Sequence, residues 1–158
     1  LDFGLVKPMA TDVEDEGLTQ AGSVTGSPHY MSPEQAMGDV EADHRSDIYA
    51  LGGVAYFMLT GKPPFDSGST LKILMAHLNE EPARPSHVRI DPPHPGQAVK
   101  TISPELDALV LRCLEKDPDT RYQSARELAE ALDRCPESQQ WSARKAEAWW
   151  RSNCAQYQ

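Results

Sequence analysis

From residue 31 onward, apolar positions recur at helical spacing through most of the chain, and strand-like alternation is nearly absent. Ile48 to Thr60 is apolar nearly all round, which predicts a helix buried on every side. Gly61, Pro63 and Pro64 end it. Leu71, Leu74, Met75 and Leu78 fall at i, i+3, i+4 and i+7 and predict a one-faced surface helix. A third stripe, Leu106, Leu109, Val110, Cys113 and Leu114, opens at Ser103-Pro104-Glu105 and breaks at Asp117-Pro118-Asp119. A fourth, Ala125, Leu128, Ala129 and Leu132, is closed by Cys135-Pro136; Ser124 with Glu127 three residues on predicts a capping box at its start. Ser32-Pro33-Glu34-Gln35 carries the same kind of start signal, with proline at the first helical position. Trp141, Ala148 and Trp149 share one face of a tail helix.

Two stretches break the pattern. Residues 1–31 are punctuated by Pro8, Gly17, Gly22, Gly26 and Pro28, carry an acidic cluster at Asp12, Glu14, Asp15 and Glu16, and predict a loop. A loop that long is usually functional or disordered. Residues 82–104 hold six of the 13 prolines and predict an irregular connection.

Composition narrows the function classes. At 158 residues, with 39% hydrophobic and 25% charged residues, the chain is long enough for one globular domain. A net charge of -9 argues against a nucleic-acid binder or an anionic-membrane binder. No uncharged apolar run reaches the roughly 20 residues of a spanning helix, and no basic-then-apolar export signal opens the chain. Cys113, Cys135 and Cys154 are too few and too scattered for a zinc site or a disulfide framework, and predict reduced thiols in a cytoplasmic protein. His29, His44, His77, His87 and His94 pair with no nucleophile and are expected on the surface or in loops. Leu1 in place of an initiator methionine predicts a piece of a longer protein.

Five short motifs follow in order: Asp2-Phe3-Gly4, Gly26-Ser27-Pro28-His29-Tyr30-Met31-Ser32-Pro33-Glu34, Asp47-Ile48-Tyr49-Ala50-Leu51-Gly52, Gly61-Lys62-Pro63-Pro64-Phe65, and Asp117-Pro118-Asp119-Thr120-Arg121-Tyr122. Three letters of D-F-G alone would be an ordinary turn. Together, in this order over residues 2–122, the motifs resemble a eukaryotic-like serine/threonine protein kinase, from its D-F-G motif onward. Ser32 stands where the A-P-E box usually has Ala. Ser32-Pro33-Glu34-Gln35-Ala36 and Arg45-Ser46-Asp47-Ile48-Tyr49 bring the resemblance closest to the bacterial branch.

The resemblance implies a mainly α fold, the C-terminal lobe of the two-lobed α+β kinase. Residues 1–134 would be a partial kinase domain, 1–34 its activation segment and 35–134 its helical lobe; 135–158 would be a tail with a short helix. Asp2 would hold magnesium and so bind the ATP phosphates, with Gly4 letting the backbone turn. Ser27 would support the chemistry near the catalytic Asp. Glu34 and Arg121 would pair inside the lobe, the planar guanidinium meeting the carboxylate at two points. Asp47 would cap the buried helix and accept hydrogen bonds from the catalytic loop. Thr19, and after it Thr25, would be activation-loop phosphorylation sites. Thr19 has no charged neighbours to oppose a phosphate, whereas Thr11 lies beside Asp12 and close to Glu14, Asp15 and Glu16.

The glycine-rich loop, strand lysine, helix glutamate and catalytic-loop Asp and Asn that precede D-F-G in the family do not occur in these residues. The expected parent is therefore an ATP- and magnesium-dependent enzyme acting on protein substrates, and this chain by itself is expected to be inactive and poorly folded. A non-catalytic kinase-like scaffold that binds partner proteins is the alternative. Substrate protein, activating signal and oligomeric state are not written in the motifs.

Overall fold

The computed structural model describes residues 27–40, 42–88, 101–138 and 142–153. A 3-10 turn, Pro28–Tyr30, leads into helix α1 (Pro33–Ala36), then α2 (Arg45–Thr60) and α3 (Thr70–Asn79). A second 3-10 turn, Pro85–His87, precedes α4 (Pro104–Cys113), and a third, Pro118–Thr120, precedes α5 (Ala125–Arg134) and α6 (Ala143–Asn153). No strand occurs among the described residues.

Helices α1, α4 and α5 start where the N-cap serine accepts a hydrogen bond from one of their first amides. At α1 the box is complete: Gln35 N–H donates to Ser32 Oγ at 3.3 Å and Ser32 N–H to Gln35 Oε1 at 3.1 Å. At α4, Leu106 N–H donates to Ser103 Oγ. At α5 only half of the expected box forms: Glu127 N–H donates to Ser124 Oγ, but the Glu127 carboxylate takes the N–H of Gln123 at 2.7 Å and pairs with Arg112. The positive partner turns the carboxylate outward. Helix α2 ends at Gly61, whose φ of 73° is the left-handed geometry of a helix C-terminus, with its N–H on Phe57 O.

The core is α2 against α4. Ile48, Tyr49 and Tyr56 pack on Leu109, Val110, Cys113 and Leu114, with Tyr122, Leu128 and Cys135 closing one end. Gly52 sets the helix spacing, since a Cβ built there would lie 2.5 Å from Cys113 Cβ. Alanine normally gains about 1 kcal/mol over glycine inside a helix. Gly52→Ala is instead expected to lose about 1–3 kcal/mol through overpacking. Denaturant melts beside Gly68→Ala, a site with open space around its Cβ position, measure the difference.

Two faces differ from the sequence expectation. Helix α2 is buried on one side only: Leu51, Val54, Phe57 and Met58 are 41–79% exposed. The two glycines Gly52 and Gly53 lie on the buried side, so the bulkiest apolar residues fall on the other. On α3 the inner face is Ile73, Ala76 and His77, while Leu71 and Met75 are exposed. The face is rotated from the apolar stripe because His77, a polar residue, takes an inner position.

Candidate functional site

The described stretch before α2 is tied to the helical core by one ion pair. Glu34, in the first turn of α1, is brought to Arg121, just after the third 3-10 turn, across 87 residues of chain. Arg121 is fully buried and meets Glu34 at two points, Nη1 to Oε1 at 2.7 Å and Nη2 to Oε2 at 2.8 Å. Its remaining N–H groups donate to the carbonyls of Glu115, Arg45 and Lys116 at 2.8–3.0 Å. Ser46 Oγ donates to Glu34 Oε1 at 2.6 Å. Burial alone would raise the pKa of Glu34; the hydrogen bonds from Arg121, Ser46 and the backbone outweigh it and hold the carboxyl at about 2.

Beside the pair lies an aromatic and basic cluster. The Arg121 guanidinium sits 4.9 Å from the centroid of the Tyr49 ring, and the Lys116 ammonium 4.7 Å from that of Phe65. Tyr49 Oη lies 2.8 Å from His77 Nδ1, and the His77 ring meets Phe65 edge-on. His77 is fully buried, which corrects its expected place on the surface or in a loop. Burial, with the Lys116 charge next, pushes its pKa down to about 4. Burial likewise lowers Lys116 to about 8. The Nζ of Lys116 and the Nε2 of His77 are buried with no hydrogen-bond partner. Apolar periodicity gives no sign of this cluster, because its polar members come from α2, from α3 and from the turn after α4.

Ser27 is exposed at the start of the Pro28–Tyr30 turn, its carbonyl accepting from Tyr30 N–H at 3.1 Å. Asp47 is exposed in the first turn of α2, where its charge suits the positive helix end. It is not the cap: that position is His44, and Asp43 Oδ1 takes the Arg45 N–H at 2.8 Å. Asp2, Gly4, Thr19 and Thr25 lie outside the described residues. Among the described residues no group of three or more His, Cys, Asp or Glu could hold a metal ion.

A buried Glu–Arg clasp behind a G-S-x-x-Y turn matches the five ordered motifs, and comparison with known proteins agrees. The model of the protein kinase domain matches residues 1–132. The chain belongs to the protein kinase family. It is 41% identical over 139 residues to the serine/threonine-protein kinase PknB of Mycolicibacterium smegmatis, covering 88% of this chain and 20% of that protein. It is 46% identical over 127 residues to the serine/threonine-protein kinase pkn3 of Myxococcus xanthus, covering 79% and 21%. The chain thus spans about a fifth of the length of the curated relatives it matches. Its helical architecture is that of the C-terminal lobe of the kinase domain. No helix among the described residues is long and apolar enough to cross a membrane.

Proposed function

We propose that this chain is the C-terminal lobe, from the magnesium-binding Asp onward, of a longer enzyme that transfers the γ-phosphoryl group of ATP to Ser and Thr hydroxyls of proteins. The observation that supports this best is Asp2-Phe3-Gly4 standing 30 residues before Ser32-Pro33-Glu34, whose Glu34 is clasped by Arg121. In such an enzyme magnesium neutralises the phosphates, and catalysis is largely positioning. Asp2 would supply the anionic oxygen that a hard cation takes. Ser27 would hydrogen-bond beside the catalytic Asp, and residues 28–31 would form the surface on which the substrate peptide docks. Glu34 and Arg121 are architecture: they fix the end of the activation segment to the lobe. Residues 1–134 act as one unit in this reading, 135–158 as a tail, and no nucleic acid or metal other than magnesium is needed. The enzyme works in the cytoplasm, with any membrane anchor outside this stretch.

The test is transfer of label from γ-radiolabelled ATP to a Ser/Thr peptide by the full-length protein. Asp2→Ala is expected to lower turnover at least about a hundredfold. The 158-residue chain alone is expected to transfer nothing and to bind ATP negligibly, because it contains no strand Lys and no catalytic-loop Asp or Asn. Phosphosite mapping in the same incubation is expected to find Thr19 first and Thr25 second, with Thr19→Ala lowering turnover. No transfer by the full-length protein would leave a partner-binding scaffold as the better reading.

A further inference from the structure

His77 carries a feature that the clasp does not explain: a fully buried ring nitrogen without a partner. Buried polar atoms are rarely left so, and each such atom calls for a reason. Two observations limit the reasons. The first is the proton's place on the ring. Burial keeps the imidazole neutral at ordinary pH, so the ring carries one proton. Tyr49 Oη lies 2.8 Å from Nδ1. If the phenol donates there, as a buried phenol needs to, the ring proton sits on Nε2. The second is what Nε2 faces. The backbones of Pro28 and His29 both act on the ring to favour a bound proton, as carbonyl oxygens do. Pro28 has no N–H to offer in return.

The turn is also gripped from its other side. Tyr30 lies against Gly53 so closely that a Cβ there would come within 3.0 Å of Tyr30 Cδ1. Helices α2 and α3 therefore both touch Pro28–Tyr30, one by shape and the other by a polar atom. Tyr49 joins this grip to the clasp, since its ring lies under the Arg121 guanidinium while its hydroxyl meets His77.

We propose that His77 is a positioning residue for substrate docking: its buried Nε2–H, unpaired in this structure, takes a backbone carbonyl of Pro28 or His29 when a substrate peptide loads the turn, and so fixes that turn. This rests on the kinase reading above.

The test uses the full-length enzyme with His77→Leu, which fills the space without a donor, and His77→Gln, whose amide N–H reaches the place of Nε2–H. His77→Leu is expected to raise the peptide KM about tenfold, the size of one lost hydrogen bond, with ATP KM and kcat within about twofold of the original. His77→Gln is expected to recover the peptide KM to within about threefold. Tyr49→Phe, which frees Nδ1 and unfixes the tautomer, is expected to shift the peptide KM in the same direction as His77→Leu and serves where the leucine variant does not fold. Deuterium exchange of a peptide spanning residues 28–31 is expected to rise in His77→Leu and not in His77→Gln. An unchanged peptide KM in His77→Leu, or equal impairment and equal exchange in the Leu and Gln variants, overturns the proposal. Absence of transfer by the unaltered enzyme overturns the kinase reading instead, and the exchange comparison then decides the role of His77 by itself.

Discussion

Arg121→Ala is expected to destabilise the lobe by about 3–5 kcal/mol, because it leaves a buried carboxylate without its counter-charge. Arg121 is fully buried and donates to Glu34 twice and to the carbonyls of Arg45, Glu115 and Lys116. Alanine removes all five contacts and the cation over Tyr49. Lysine cannot rescue it, since one ammonium cannot reach two carboxylate oxygens and three carbonyls in a plane. Arg126→Ala, an exposed change in the first turn of α5, is the comparison and is expected to stay within about 0.5 kcal/mol. Denaturant midpoints of the full-length protein measure both. Equal shifts for the two variants would falsify the view of Glu34–Arg121 as a buried clasp.

Acid is expected to weaken the fold in two steps. His77 has a folded pKa of about 4 against a usual 6.5, so the unfolded chain takes up its proton first as pH falls. Its contribution is complete above about pH 6.5 and is lost between there and pH 4, about 3 kcal/mol in all. Glu34 has a folded pKa of about 2 against 4.5. Its contribution is complete above about pH 4.5 and is lost as pH falls toward 2, again about 3 kcal/mol. Both groups are more than nine-tenths buried, so solvent screening is slight. Urea midpoints at pH 7.5, 5 and 3 follow the two steps, and His77→Gln is expected to remove the upper one. A midpoint in the unaltered protein that stays level from pH 7 to 4.5 would mean that His77 is charged in the fold.

Helix starts were the most legible part of this chain. Ser32, Ser103 and Ser124 each take a backbone N–H three residues on, which is local chemistry and needs no tertiary knowledge. The class of fold was legible for the same reason. Which side of a helix faces in was less so. The stripe Leu71, Leu74, Met75 and Leu78 satisfies the helical period, yet α3 turns Ile73, Ala76 and His77 inward. A histidine scores as polar, and Tyr49, 28 residues earlier, supplies the partner of its Nδ1. The all-round apolar character of α2 likewise did not tell which side is covered, since Leu51, Val54, Phe57 and Met58 stay exposed. Within the candidate site, Glu34 and Arg121 each read as a surface charge when taken singly. It was the order of the kinase motifs that joined them, because no local rule links residues 87 positions apart. Ser46, Lys116 and His77 belong to the same buried neighbourhood and carry no motif signal of that kind.

The same separation has a consequence during synthesis. Glu34 leaves the ribosome 87 residues ahead of Arg121, and at about 5–20 residues per second that is a delay of roughly 4–17 seconds. Throughout that interval α1 can form, capped by Ser32 and Gln35, but its carboxylate cannot be buried. Glu34 therefore docks only after the turn at Pro118–Thr120 and the arginine that follows it have emerged. A chain halted before that turn would hold a formed α2 with nothing to seat its neighbouring loop, and would be open to proteases in the stretch around Met31 to Asp39. Emergence of Arg121 is thus the event that allows Glu34 to be buried.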